Sequence, residues 1–191
     1  MAAVVAVLHL AMHHLLLNRD IYTHVMLEKL PAARRFVWIV TADIKDLHLD
    51  VGKGFEPLLA VLARLVERGV GVRLIHAKEA GPRFRAHFDD YPELFESELF
   101  ERILCPRVHT KAIVVDGVGA FVGSANLTGA GMGAKSEQSR NFEAGFWFED
   151  PAQLGHLMRW IDELYLGNFC ANCKRRSYCP DPIDELHEGA L

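Results

Sequence analysis

The segment RVHTKAIVVDGVGAFVGSANLTGAG, residues 107–131, constrains the fold more than any other part of this chain. It holds two short apolar runs separated by an Asp-Gly turn signal, which predicts a β-hairpin. Side chains alternate faces along a strand, so His109 and Lys111 are expected to point the same way. Ser124 and Asn126 share a face at the end of the second strand. The pattern therefore predicts these four polar side chains together at one end of a sheet.

This set of side chains is suited to hold an oxyanion. Lys111 supplies a positive charge, while Ser124 and Asn126 supply neutral hydrogen-bond donors. His109 would then act as a nucleophile or an acid/base group beside a bound phosphorus centre. Asp116 is expected to point to the other face of the strand from His109 and Lys111, and it stands at the turn. We interpret it as structural, tying the turn or a neighbouring chain.

The remainder of the chain predicts an α/β fold. Residues 34–44 and 70–77 have the apolar, β-branched character of buried strands, and residues 54–69 between them have helical spacing that ends at Gly69. This alternation predicts a parallel β-α-β unit. A further strand is expected at residues 142–150, followed by a helix to Gly167 that is capped by Asp150. Residues 18–34 are predicted to form a helix that is broken near Pro31.

The length and net charge of the chain bear on the number of domains and on how it could bind nucleic acid. The chain has 191 residues, half of them hydrophobic, which suits one compact domain. Its formal net charge is −4, so nucleic-acid binding would require a local basic patch.

The spacing H-x-K-x4-D-x6-G-S-x-N, from His109 to Asn126, resembles the HKD signature of the phospholipase D superfamily. The resemblance implies a mixed β-sheet flanked by helices over residues 20–167, with Gly123 as part of the structural motif. It implies attack by a histidine to give a phosphohistidine, with a second histidine as acid and base and no metal in the chemical step. Only one copy of the signature is present, so the resemblance implies a homodimer in which two copies of His109 form one active site. The alternatives are a chance hairpin with a surface histidine and an inactive domain that keeps the pattern.

The resemblance also assigns roles outside the hairpin. Asn141 and Glu143 match an N-x-E segment whose carboxylate hydrogen-bonds the catalytic imidazole in the family. A solvated glutamate at the start of a strand is the alternative. In the same way Asp43, Lys45 and His48 are candidates for lining the cleft, with a plain surface loop as the alternative.

A second motif lies in the tail FCANCKRRSYCPDP, where three cysteines have the spacing C-x2-C-x5-C and Cys105 is the fourth cysteine of the chain. The arrangement resembles the iron–sulfur staple of AddB/Cas4-type nucleases, and four thiolates suit a [4Fe-4S] cluster or zinc. The expected metal ligands are Cys105, Cys170, Cys173 and Cys179, and a tail that binds no metal is the remaining alternative. His187 is an alternative to Cys105 in a zinc site.

The basic run between these cysteines has two interpretations. It could contact nucleic-acid phosphates beside the cleft, or it could be a plain solvated turn. The residues are Lys174, Arg175 and Arg176.

The apolar N-terminal stretch MAAVVAVLHLAMHHLLL is predicted to be a helix within residues 1–19, serving as a packing or dimer face. Membrane contact and a secretory signal are the alternatives, although the stretch lacks a basic flank and a clear cleavage site. A cytoplasmic location is therefore expected. The predicted organisation is this helix, a catalytic domain at residues 20–167, and a metal-binding tail at residues 168–191.

Together these features predict a nuclease of the phospholipase D type, with DNA favoured over RNA. One alternative is a phospholipid phosphodiesterase at a membrane. Another is a nucleic-acid-binding module without turnover, although such a module has no need of His109 and Glu143 together.

Overall fold

The computed structural model describes residues 13–45 and 47–183, and its elements alternate strands and helices as the sequence predicts. In chain order they are β1 (His13–Leu17), α1 (Arg19–Ile21, continuing as a π-helix over Tyr22–Lys29), β2 (Phe36–Thr41), β3 (His48–Asp50), β4 (Phe55–Pro57), α2 (Leu58–Glu67), β5 (Gly71–His76), α3 (Pro82–Asp89), α4 (Pro92–Glu96), β6 (Phe100–Leu104), β7 (Ala112–Val115), β8 (Gly119–Gly123), β9 (Ala144–Phe148), α5 (Pro151–Tyr165) and a 3-10 turn (Arg176–Tyr178).

Seven of the strands form one mixed sheet in the order β1-β9-β8-β7-β2-β5-β6, and β3 pairs with β4 in a separate hairpin. Strands β2, β5 and β6 run parallel to one another, whereas β7 pairs antiparallel with β2, and β7, β8, β9 and β1 pair antiparallel in turn. The predicted α/β fold with a mixed sheet is confirmed, as is the parallel pairing of the two strands that flank α2.

Two apolar layers cover the sheet. In β2 the alternation is visible directly, because Ile39 packs into a cluster that contains α1 and α2 residues, whereas Val40 packs into a second cluster with Leu154 and Ile161 of α5. Burying each such side chain contributes roughly 1.5–3 kcal/mol. The layers therefore hold the sheet rigidly between helices, and the site described below stands at one edge of that rigid unit.

The predicted ends of α2 and α5 and the cap of α5 are confirmed, whereas α2 begins only at Leu58 because Phe55–Pro57 form β4. α2 ends just before Gly69, which has a left-handed φ of 82°. The carboxylate of Asp150 accepts a hydrogen bond from the Gln153 backbone N–H at 2.9 Å, a cap that contributes about 1 kcal/mol. Gly167 follows α5 with φ 80°.

The helix predicted at the N-terminus is wrong for the part that the structure describes. Residues His13–Leu17 form β1, which pairs antiparallel with β9 from His13 opposite Phe148 to Leu17 opposite Ala144. Pairing with a strand far away in sequence satisfies the backbone groups and outweighs local helix preference. Residues 1–12 of the predicted helix lie outside the described residues.

The hairpin at residues 107–131 is confirmed, but its strands are shorter than predicted. β7 begins at Ala112, so His109 and Lys111 lie in the loop before it, and β8 ends at Gly123. β7 begins at the Val40–Ala112 pair, one residue before the end of β2 at Thr41. Strand alternation therefore does not set the directions of His109 and Lys111.

Within residues 13–45 and 47–183, no helix has both the length and the apolar character needed to cross a membrane.

Candidate active site

Three chain segments meet at the edge of the sheet where β2 ends, β7 begins and β8 ends. Val40 pairs with Ala112, and Ala112 pairs with Val122. The backbone N–H of Gly123 donates to the Lys111 carbonyl at 3.1 Å. The register therefore brings the loop that carries His109 beside the residues that follow β8, as the signature requires.

His109 and Lys111 are in direct contact. Lys111 Nζ lies 3.2 Å from His109 Nδ1, and it also donates to the His109 carbonyl. Lys111 is only 7% exposed, whereas His109 is exposed. Burial lowers the pKa of Lys111, and the Glu143 carboxylate opposes that shift. The site thus pairs an accessible imidazole with a largely buried ammonium group.

Ser124 and Glu143 form the opposite wall. The Ser124 hydroxyl donates to Glu143 Oε2 and accepts from the Ala144 backbone N–H at 3.1 Å. Asn141 Nδ2 donates to Glu143 Oε1 at 3.0 Å. No hydrogen bond joins Glu143 to His109 in the described part of this single chain, so the orienting role predicted for Glu143 stays a prediction.

Asn126 completes the group of polar side chains. Its Oδ1 accepts a hydrogen bond from the Asp43 backbone N–H at 3.1 Å. This contact fixes the carboxamide and leaves its Nδ2 as a donor. Asn126 therefore offers a fixed donor to an oxyanion held near Lys111.

Of the further candidates after β2, the structure brings Asp43 to the site. Its carboxylate pairs with Lys45 Nζ at 3.3 Å and with Lys78 Nζ at 3.2 Å. His48 begins β3, where its carbonyl accepts a hydrogen bond from the Tyr22 hydroxyl. Lys78 was not predicted, although its position just after β5, at the carboxyl end of a strand parallel to β2, was a signal that could have found it.

Asn18 is a second residue that sequence reasoning missed. Its side-chain Oδ1 accepts from the Glu143 backbone N–H at 3.0 Å, and its own N–H donates to the Glu143 carbonyl at 2.9 Å. Asn18 thereby fixes the backbone that carries Glu143. Its φ of 50° marks a tight turn between β1 and α1. The sequence predicts a helix here, so it gives no indication of this turn.

Position 123 requires a glycine because the backbone of β9 passes close to it. A Cβ there would lie 2.6 Å from the Ala144 carbonyl oxygen and 2.7 Å from the ring of Phe121. The glycine lets β9 come near enough for Ser124 to reach Glu143. This supports the structural role that the signature gives to Gly123.

Asp116 ties the β7–β8 turn to the start of β2. Its carboxylate accepts backbone N–H bonds from Arg34, from Arg35 at 2.7 Å and from Phe36 at 3.0 Å. Burial raises the pKa of Asp116, but these three donors outweigh it, and the net pKa is lowered. The contacts support a structural role for Asp116 and leave no acid/base work to it.

The four cysteines, all within the described residues, are unpaired thiols. All four line one cavity of about 170 Å³, and His109 lines it too. In the described part of the chain, no three His, Cys, Asp or Glu side chains already stand as a group of metal ligands. The structure thus brings the four predicted ligands to one cavity without arranging them around a single ion.

The basic run in the tail is partly engaged. Arg175 Nη1 donates to the Pro106 carbonyl, and Arg176 Nη1 donates to the Ile183 carbonyl at 3.1 Å. Lys174 is exposed. Two of the three basic side chains therefore hold the tail in place, and contact of this run with nucleic acid stays a prediction.

Comparisons with known proteins agree with this geometry. A family model described as "Cardiolipin synthase, PLD-like domain" matches residues 26–165. Among solved structures, NucT from Helicobacter pylori is 14% identical with a TM-score of 0.60, and the match covers 81% of this chain and 96% of NucT. The phospholipase D family member Nuc from Salmonella typhimurium is 15% identical with a TM-score of 0.55, covering 81% of this chain and 95% of Nuc.

A third solved structure, the archaeal chromatin protein TrmBL2, is described as showing a novel mode of DNA binding. It is 16% identical with a TM-score of 0.55, and the match covers 80% of this chain and 51% of TrmBL2. At these identities the likenesses show the fold alone. No curated protein matches the chain by sequence.

Proposed function

This chain belongs to the phospholipase D superfamily, and from that premise we propose that it is a nuclease that cleaves DNA, or RNA, through a phosphohistidine in a homodimeric active site. The observation that carries the proposal is the contact between His109 and Lys111, whose atoms Nδ1 and Nζ are 3.2 Å apart. Ser124 and Asn126 stand across from them at the same edge of the sheet. A nucleophile and phosphate-binding groups thus meet at one place.

In the proposed first step, His109 of one subunit attacks the phosphorus of a phosphodiester. A nitrogen–phosphorus bond forms, the bond to the leaving oxygen breaks, and the protonated His109 of the second subunit gives its proton to that oxygen. In the second step, the same neutral histidine takes a proton from water. The water attacks phosphorus and releases the first imidazole. Lys111 and Asn126 bind the non-bridging oxygens throughout, with Ser124 assisting.

Lys111 is well suited to this role because it is largely buried. An ammonium group in a low-dielectric setting stabilises developing negative charge more strongly than one in water. Burial alone lowers the pKa of Lys111, but the Glu143 carboxylate raises it, and a bound phosphate would add to that effect. The protein's own side chains carry each proton and charge in this proposal, with no metal in the chemical step.

Two features support a homodimer. The chain carries one copy of the signature, whereas the two-step mechanism uses two histidines. An exposed apolar patch beside the site also lacks a covering partner within the described residues; its members are Leu15, Leu17, Phe142 and Phe146. Phe142 is 98% exposed and directly precedes Glu143. A second copy packed against this patch would bury it close to the catalytic side chains.

Nucleic acid is the substrate class we favour. Members of the superfamily with one short copy of the signature are most often nucleases, and the likeness to TrmBL2 shows that the fold occurs in a protein described as binding DNA. Lys45 and Lys78 are exposed and flank the single carboxylate of Asp43, which leaves one net positive charge toward the local basic character that a chain of net charge −4 needs. A nucleic-acid-binding module without turnover would share these features but would not cleave.

A phospholipid phosphodiesterase is the second candidate. The description of the matching family model as a cardiolipin synthase domain favours it, and the exposed patch around Phe142 could then rest on a membrane. The two candidates share the reaction at phosphorus and differ only in the diester.

The test is cleavage of labelled single-stranded and double-stranded DNA and RNA in EDTA, beside vesicles of phosphatidylglycerol and cardiolipin. The His109→Asn variant is the negative control. The His156→Asn variant is its match, because His156 is an exposed histidine of α5. We expect EDTA-resistant cutting of nucleic acid that only His109→Asn loses. Hydrolysis of lipid alone would replace the nuclease proposal with the second candidate, and cutting that survives His109→Asn would refute the histidine mechanism.

A further inference from the structure

The cavity that the cysteines share lies between the loop before β7, the end of α5 and the C-terminal tail. Cys105 belongs to the loop, four residues before His109, while the other three cysteines belong to the tail. Apolar side chains complete the lining, among them Trp160, Leu164 and Phe169. Four thiols that come from distant parts of the chain thus face one apolar space of about 170 Å³.

We propose that Cys105, Cys170, Cys173 and Cys179 bind one metal group through four thiolates, and that this group joins the tail to the loop that carries His109. Thiolates select zinc or iron–sulfur clusters over hard cations. Four of them in an apolar cavity satisfy a closed structural site, which has no position open to substrate.

The sulfur of Cys179 contacts the segment that leads to the His109 loop. Its Sγ donates a hydrogen bond to the Leu104 carbonyl at 3.7 Å, and Leu104 directly precedes Cys105. One thiol of the tail thus lies at the residue next to the cysteine of the loop.

The tail is held against the loop by contacts that do not involve a metal. Asp181 Oδ2 accepts from the Leu104 backbone N–H at 2.7 Å, and Arg107 Nη1 donates to the Phe169 carbonyl at 3.3 Å. Gly167 admits the tail, because a Cβ there would lie 2.5 Å from Cγ2 of Ile183. These contacts fix which segments meet, so the convergence of the cysteines follows from the fold and not from chance proximity.

Four thiolates suit either a [4Fe-4S] cluster or a single zinc ion. The two groups differ in iron and sulfide content and in visible absorption, so the measurement below distinguishes them.

The site would brace the catalytic loop. β7 begins only at Ala112, so His109 is held by a loop and not by a strand ladder. Anchoring Cys105 to the tail would restrict the loop four residues before the reacting imidazole. The metal site does not depend on the substrate, so metal content tests it whether or not the chain cleaves nucleic acid.

The first test is metal and sulfide analysis of the full chain after anaerobic purification. We expect about four irons and four sulfides per chain, or about one zinc ion, and visible charge-transfer absorption distinguishes the cluster from zinc. Cys105→Ser and Cys173→Ser should each lower the metal content at least tenfold. Ser177→Ala, an exposed position between the ligands, should leave it unchanged. A wild-type chain that stays metal-free even after anaerobic reconstitution would overturn the proposal, as would full metal content in Cys105→Ser.

A second measurement covers the case in which a cysteine variant does not fold. X-ray absorption at the iron or zinc edge of the wild-type protein reports the ligand atoms directly. A shell of sulfur alone is expected. Nitrogen or oxygen ligands in that shell would show that the four cysteines do not form the site.

Discussion

The ammonium group of Lys111 lies 3.2 Å from Nδ1 of His109, although neither residue belongs to a strand. The contact joins the proposed nucleophile to the one largely buried cation of the signature. Because both residues lie in the same short loop before β7, the position of each depends on that of the other. Catalysis in the proposed mechanism therefore depends on this pair of side chains.

Removing the charge of Lys111 should abolish most activity while keeping the fold. For Lys111→Met we expect kcat/KM to fall roughly 10²–10³-fold, the usual cost of removing one donor that stabilises the transition state. Stability should not fall, because Met packs at a buried position without the cost of burying a charge. Steady-state cleavage and urea unfolding measure the two effects. Lys135→Met, at an exposed position, should retain full activity; equal losses in both variants would contradict a specific role.

Replacing the Glu143 carboxylate should change the pH profile. Burial lowers the pKa of Lys111 and Glu143 raises it, so Glu143→Gln removes the raising influence and lowers the pKa further. Lys111 then loses its proton at lower pH, and the basic limb of kcat/KM should move toward neutrality. Glu137→Gln, at an exposed position, serves as the control. A basic limb that stays in place would show that Glu143 does not act on Lys111.

The role of Asp116 should appear in stability and not in chemistry. Asp116→Ala leaves backbone donors of Arg34, Arg35 and Phe36 without their acceptor, and we expect a loss of roughly 1–3 kcal/mol in the free energy of unfolding. Cleavage well below the melting temperature should stay within about threefold of wild type. Urea unfolding with Glu67→Gln, a solvent-exposed carboxylate change in α2, as control measures the difference. A folded Asp116→Ala protein that lost catalysis would place this carboxylate in the mechanism instead.

His76 predicts acid sensitivity of the fold. Its ring is fully buried, with Nδ1 2.8 Å from the Lys78 carbonyl oxygen and Nε2 accepting from Arg102 Nε at 2.9 Å. Burial, reinforced by Arg102, lowers the pKa of His76 from 6.5 to about 4. In the unfolded chain the ring binds a proton in this pH range, whereas in the folded chain it stays neutral. The free energy of unfolding therefore falls as pH drops from about 6.5 toward about 4.

For wild type the His76 contribution amounts to roughly 2 kcal/mol between pH 7 and pH 5. His76→Gln can keep both hydrogen bonds and does not titrate, so its unfolding free energy should change less over that interval. Urea unfolding at the two pH values gives the comparison, with His156→Gln as the control at an exposed histidine. Parallel pH dependence in wild type and His76→Gln would contradict this assignment.

The sequence predicts the group of polar side chains at the end of the hairpin but not all of its geometry. The spacing from His109 to Asn126 predicts that four polar groups meet, and the pairing of β7 with β8 brings the two segments side by side. Their roles in catalysis stay predictions. The strand expected to contain His109 and Lys111 is too long, because β7 begins only at Ala112, and no turn or glycine signal between His109 and Ala112 marks that start.

The N-terminal strand is a second element that the local sequence does not determine. A short apolar run does not distinguish a helix from a strand by periodicity, and β1 is decided by β9, which lies far away in the sequence. Asn18 was missed for this reason, because its contacts with Glu143 exist only once β1 and β9 are paired. Such partners enter through tertiary structure alone.

In the proposed mechanism His109 becomes covalently bonded to phosphorus. Rapid mixing of the protein with labelled oligonucleotide, followed by an alkaline quench that preserves phosphohistidine, tests this bond directly. We expect a transient protein–oligonucleotide adduct that peptide mass spectrometry assigns to His109, and that is absent from His109→Asn. Cleavage in a single turnover with no adduct, or with an adduct on another residue, would refute the phosphohistidine.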